Sequence, residues 1–139
     1  NASANGRFYG KLYNWYAVND PRGLAPVGYH VPTDDEWTNL TTFLGGPSVG
    51  GGKMKSIGTS LWLSPNTNAT NSSGFTGLPG GFRRDSGLFL FIGNSGHWWS
   101  QSDFIAPTAW CRFLYYDNDN VDGINQNKTF GISVRCIKD

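Results

Sequence analysis

Charge, sulfur and long apolar runs are all scarce in these 139 residues. Only 15% of the side chains are charged and the formal net charge is +1, which leaves no field to steer nucleic acid or an anionic membrane. No stretch approaches the roughly 18 apolar residues of a membrane span. The opening Asn1-Ala2-Ser3-Ala4-Asn5-Gly6 has neither the basic nor the apolar region of a signal peptide. Neither a nucleic-acid partner nor direct membrane insertion is therefore expected. Two cysteines, Cys111 and Cys136, are too few to define a disulfide framework or a redox compartment. The two histidines, His30 and His97, lie far apart beside aromatic residues, so both read as packed or surface histidines and no nucleophile–base pair is expected.

Abundance lies elsewhere. Six Trp, six Tyr and nine Phe can each bury about 150–250 Å², enough for one core in one domain covering 1–139. Nineteen Gly and seven Pro, with many Asn, Ser and Thr, favour turns over helices. Low Lys and high Asn, Thr and aromatic content suit an exported bacterial protein.

Along the chain, aromatic-rich Arg7–Val18 reads as a first strand, followed by a turn at Asn19–Gly23. Thr33 and Glu36 form a capping box ahead of a helix whose apolar stripe is Trp37, Leu40, Phe43 and Leu44, with Gly45-Gly46-Pro47 as its stop. A shorter helix is expected from about Val49 to Ile57, with Met54 and Ile57 on one side, weakened by three consecutive glycines. Phe75–Arg83, Leu88–Ile92, Trp98–Ser100, Ala109–Tyr116 and Gly131–Ile137 read as strands. Within Ala109–Tyr116, the residues Trp110, Arg112, Leu114 and Tyr116 alternate with Cys111, Phe113 and Tyr115, so one face should pack and the other be presented. Polar Asp117–Asn127 reads as a long loop or ribbon turn.

Several of these segments carry motifs in a fixed order. They begin with Tyr9-Gly10-Lys11-Leu12-Tyr13-Asn14-Trp15-Tyr16-Ala17-Val18 and Gly28-Tyr29-His30-Val31-Pro32-Thr33-Asp34-Asp35-Glu36-Trp37. Gly51-Gly52-Lys53-Met54-Lys55, Ser73-Gly74-Phe75, Leu78-Pro79-Gly80-Gly81, Trp98-Trp99-Ser100, Ala109-Trp110-Cys111-Arg112 and Gly131-Ile132-Ser133-Val134-Arg135-Cys136 follow. In this order they resemble the Fibrobacter succinogenes major paralogous domain over nearly the whole chain. The resemblance implies an α+β, C-type-lectin-like fold of the formylglycine-generating-enzyme type. Such a fold has two helices, a small antiparallel sheet, a loop-rich C-terminal half and termini that meet as neighbouring strands. It also implies an extracellular or cell-surface setting. Some members look like the variable proteins of diversity-generating retroelements, in which adenine-directed mutagenesis alters chosen codons on an unchanged scaffold.

In Ile105–Phe130, family-like residues interleave with idiosyncratic ones. The latter, Ile105, Thr108, Cys111, Phe113, Tyr115, Asp117, Asp119, Asp122, Gly123, Ile124, Asn125, Asn127, Thr129 and Phe130, are all reachable by adenine substitution in an Asn-type codon. Rigid aromatics mixed with small polar groups suit recognition of a protein or glycan; the alternative is that they fill the second face of a sandwiched sheet. All of them except Gly123 and Thr129 are taken as candidate ligand contacts.

Asp117–Gly123 invites a calcium reading but fails it, because Val121 and Lys128 stand where oxygen ligands should be. Neither Glu-Pro-Asn nor Trp-Asn-Asp, the sugar-holding motifs of calcium-dependent lectins, is present. No metal, cofactor or covalent chemistry is expected. Cys111 and Cys136 either pair as a disulfide, which needs Cα atoms about 4.4–6.8 Å apart, or stay separate. The expected function is an adhesin-like ligand-binding module of a bacterial surface protein, diversified by a retroelement and carried at the tip of a pilus or larger surface assembly. The alternatives are a structural domain of a cell-envelope protein and a formylglycine-type oxidase.

Overall fold

The computed structural model describes residues 2–139. The chain is mixed α+β and mostly sheet. In order it has α1 (Ala2–Tyr9), α2 (Trp15–Val18), β1 (Tyr29–His30), α3 (Asp34–Phe43), α4 (Gly50–Met54), β2 (Phe82–Arg83) and β3 (Phe89–Leu90), then β4 (Ser95–Asp103), β5 (Thr108–Tyr115), β6 (Asp122–Asn127) and β7 (Ile137–Lys138).

The N-terminal segment corrects the expectation of a strand over Arg7–Val18, and the described residues hold four helices where two were expected. Gly10, at φ 78°, follows α1 in a conformation that glycine adopts without strain. The Asn14 side chain then accepts from Ala17 N and caps α2. Local capping thus overrides the strand preference of Tyr and Trp. Only Tyr13 pairs as a strand would, bridging Ile132.

At α3 the capping box forms as expected: Glu36 N donates to Thr33 Oγ1 at 3.3 Å and Thr33 N to the Glu36 carboxylate at 2.8 Å. Trp37 and Leu44 are buried, but Phe43 is 86% exposed because α3 packs over a narrower arc than its apolar stripe. Ile57, expected beside Met54, lies beyond α4 and is also exposed. The three glycines that weaken α4 in sequence are what let it pack. A Cβ on Gly51 would collide with Asn120 O, and one on Gly52 would lie 2.6 Å from Asn68 O.

The central sheet runs β4-β5-β6, entirely antiparallel. Part of the expected 117–127 loop is therefore strand. Its register places Ser95, His97, Trp99, Cys111, Phe113, Tyr115, Asp122 and Ile124 on one face (face A). Trp98, Trp110, Arg112, Leu114, Gly123 and Asn125 lie on the other (face B). Face A meets a core built on Trp15, Val31, Phe82, Trp99 and Ile132. Face B meets a second core built on Trp37, Met54, Trp62, Trp98 and Leu114. Two-stranded pairs β1–β7 and β2–β3 close the flanks. The C-terminal strand does neighbour an early strand, β1, while the first described residues, Ala2–Tyr9, are helical.

Candidate functional site

Because both faces of β5 are covered, the expected division into a packed and a presented face does not hold. Cys111 is 0% and Phe113 8% exposed, so neither can touch a ligand; for them the sandwiched-sheet alternative is the correct one. The other candidates do not form one patch. Ile105, Thr108 and Asn127 gather at one end of the sheet, where Thr108 Oγ1 donates to Ile105 O at 2.7 Å and Thr108 stands opposite Asn127. Asp117 and Asp119 lie at the other end, about 23 Å away at the usual 3.3 Å per residue along β5. Asn125 lies on face B, opposite Trp110. Tyr115, Asp122 and Ile124 share the margin of face A, and Phe130 packs against the same core.

That margin is continuous with a stack of rings. Tyr115 meets Phe113 edge-on with centroids 5.0 Å apart, Phe113 stacks on His97 at 5.6 Å and His97 meets Phe82 at 5.1 Å. Phe82 in turn stacks on Phe130 at 5.5 Å and lies 5.8 Å from Phe91. The middle rings are buried while Tyr115 and Phe130 are half-buried and Phe91 is 48% exposed, so both ends of the stack reach solvent on a rigid floor. Phe91 has φ 62°, which for a bulky side chain costs of order 1–3 kcal/mol and marks a position worth functional scrutiny. Leu88, Phe89 and Ile92, its neighbours in sequence, are exposed too, and such apolar clusters mark interaction surfaces more often than chance.

Sequence reasoning missed Phe82, Phe91 and His97 as parts of this surface. The available signal was Leu88-Phe89-Leu90-Phe91-Ile92, five large apolar residues in succession between glycines, where a half-buried strand would alternate.

The electrostatics are those of a dry interior. Burial pulls His97 down to about 4. Its Nε2 lies 2.8 Å from Ser95 Oγ, and its buried Nδ1 has no partner. Burial pushes the Cys111 thiol up to about 12 and also raises Cys136; neither is in a disulfide. Burial raises Asp122, leaving a partly desolvated carboxyl beside the rings.

The loop after β5 is held from below by Lys55. Its buried Nζ donates to three carbonyls, Thr67 O at 2.8 Å, Asn118 O at 2.8 Å and Tyr115 O at 3.0 Å. An ammonium thus organises the very loop whose sequence suggested calcium. Among the described residues no three His, Cys, Asp or Glu side chains come together in a way that could hold a metal ion. His30 instead sits between two carboxylates, 2.6 Å from Asp139 and 2.9 Å from Glu36, and tethers the C-terminal strand to the start of α3.

Fold and surface together define a mostly-sheet α+β domain with an aromatic surface on a stiff frame. Residues 1–138 match the model of the Fibrobacter succinogenes major domain, and the chain belongs to that family. Neither the curated proteins nor the solved structures yielded a match. Among the described residues no helix is long and apolar enough to cross a membrane.

Proposed function

We propose that this domain is a ligand-recognition module of a bacterial surface protein, adhesin-like and built on a C-type-lectin-like fold. It binds a protein or glycan outside the cell as part of a larger surface or pilus assembly. The observation that carries the reading is the ring stack from Tyr115 to Phe130 and Phe91, with a buried middle and open ends. Rings fixed in advance lose little conformational entropy on binding, and polar neighbours such as Asp122 supply direction. The contacting set is Tyr115, Asp122, Ile124, Phe130 and Phe91, with Phe113 and Cys111 beneath as support. Diversification by a retroelement would act on the first four of these.

The inaccessible, protonated Cys111 thiol counts against a formylglycine-type oxidase, because the thiolate is the reactive form. Glycan and bacterial-surface-protein arrays test the proposal. A hit that weakens at least tenfold in Tyr115→Ala and in Phe130→Ala, with folding intact, supports it; hits indifferent to both substitutions refute it. Near-identical copies within one bacterial population should differ at Tyr115, Asp122, Ile124 and Phe130 and retain Phe82 and His97. Differences scattered evenly over the surface would end the diversification idea.

A further inference from the structure

The two edges of the central sheet are treated differently. Along β4 the outer edge is closed: Gly81 N donates to Ser95 O, Trp99 N to Ser133 O and Gln101 N to Pro32 O, each at 2.8–3.0 Å. Along β6 the described residues supply no such partner. Only its ends are pinned, where Val121 N donates to Pro47 O and Asn127 O accepts from Phe130 N.

The phase of the ladder shows which groups this leaves open. Residues opposite one another in an antiparallel pair alternate between bonded and non-bonded, with N–H and C=O of one residue pointing to the same side. Tyr116 N donates to Asn94 O, so even-numbered β5 residues point toward β4. Odd ones, Cys111 and Phe113, therefore bond their opposite partners Ile124 and Asp122 on β6. The backbone groups of Gly123 and Asn125 consequently point outward, and both residues are exposed. Natural edges are usually guarded by Lys, Pro or a bulge. β6 reads Asp-Gly-Ile-Asn-Gln-Asn and keeps an unbroken register with β5, so it has none of these guards.

We propose that this edge pairs with the β6 of a second copy, antiparallel, with Ile124 opposite Ile124 across a two-fold axis. In that register Gly123 and Asn125 form two bonded pairs and all four outward backbone groups of these two residues are used on each chain. Asp122 stands opposite Gln126, an acceptor facing an amide donor, and like charges never meet. Shifting the axis to Asn125 would enlist Asn127 O, which already accepts from Phe130 N at 2.9 Å. Shifting it to Gly123 would run the pairing past the start of the strand, into Val121. The strand's own sequence thus selects one self-complementary alignment. The result is a six-stranded sheet whose axis is perpendicular to it, so both copies turn face A to the same side. Two Tyr115–Phe130 surfaces would then engage a repetitive ligand together, gaining avidity without any new contact to it.

This proposal stands without the ligand reading, because it is tested with no ligand present. Sedimentation equilibrium should show reversible dimerisation as the concentration rises from micromolar to millimolar. Over the same range, amide exchange should slow at Gly123 and Asn125 while Ile124 and Gln126, bonded to β5, stay protected throughout. Asn125→Pro removes an outward donor and no bond to β5, so it should be monomeric at every concentration; Asn125→Ala should still dimerise. Exchange on the unaltered chain decides the matter if the proline variant fails to fold. Fast exchange at Gly123 and Asn125 at every concentration would overturn the proposal. So would a dimer that survives in Asn125→Pro, or protection of the edge by an added extended peptide but never by a second copy.

Discussion

The two sides of β5 are held by different physics. On face B, Arg112 pairs with the Asp34 carboxylate and also donates to Thr38 Oγ1 at 3.1 Å. At the end of the same strand Lys55 gathers three carbonyls. On face A the outer half of the strand is held by stacked rings, and the imidazole among them, His97, keeps an unpartnered nitrogen. Directional, charge-assisted bonds fix a loop to one geometry. Ring contacts tolerate exchange of one apolar or aromatic residue for another, provided the volume is kept. A domain that must vary its contacts while keeping its frame would divide its labour this way, with exchangeable residues on the stacked side and fixed cations behind them.

The sharpest way to break this comparison is to remove the cation. Lys55→Met keeps the apolar stem but orphans three partly buried carbonyls, each costing about 1–3 kcal/mol when unsatisfied. Relief from burying the ammonium offsets part of this, so a net loss of about 3–5 kcal/mol in urea denaturation is expected. Amide exchange should rise first at Thr67 and Asn118–Val121. A Lys55→Met variant as stable as the parent would show that the loop is held by packing, and the two sides would no longer differ in kind.

Nearly as large an effect is expected on the stacked side, through pH. His97 titrates near 6.5 when unfolded and about 4 when folded, so between these values the unfolded state binds more protons. Stability is then full above about pH 6.5 and falls as pH drops toward 4, by about 3 kcal/mol at 1.36 kcal/mol per unit. His97→Phe should flatten that limb of the stability curve, and a limb unchanged in the variant would place its cause elsewhere. Phe91→Gly probes the same stack more gently. Relief of the positive φ should stabilise by about 1 kcal/mol, measured as a raised unfolding midpoint, while any array ligand binds more weakly.

Much of the frame was legible in the sequence, and the reasons for success and failure are local. Thr33 and Glu36 signal their helix because a capping box is satisfied within four residues. β5 is legible because strand formers alternate there. Arg7–Val18 misleads because Asn14 caps a single turn of helix, a short-range bond that outcompetes aromatic strand propensity. The family is legible from ordered Trp and Gly motifs that 1–138 indeed match. The exact surface is not. Alternation tells which side chains share a face, but only the positions of α2, α3 and the 75–82 segment decide that both faces of β5 are covered. That is why Cys111 and Phe113 were misplaced, and why the Phe91 turn, read only as a strand segment, was overlooked.

The smallest expected effect comes from the other histidine and has the opposite sign. His30 is raised by its hydrogen bond to Asp139 and, secondarily, by the one to Glu36. Its contribution is complete below the unfolded value near 6.5 and is lost as pH climbs through the raised folded value. Because the ring is solvent-screened, the loss should be small and should shrink further in high salt. His30→Gln should therefore flatten only the alkaline limb of the stability curve, as His97→Phe flattens only the acid one, and the β1–β7 amides should be the first to exchange as that limb is climbed. If both substitutions altered the same limb, the contrast between a tethered and a stacked imidazole would fail at its simplest test, since two rings in such unlike surroundings must titrate in opposite directions.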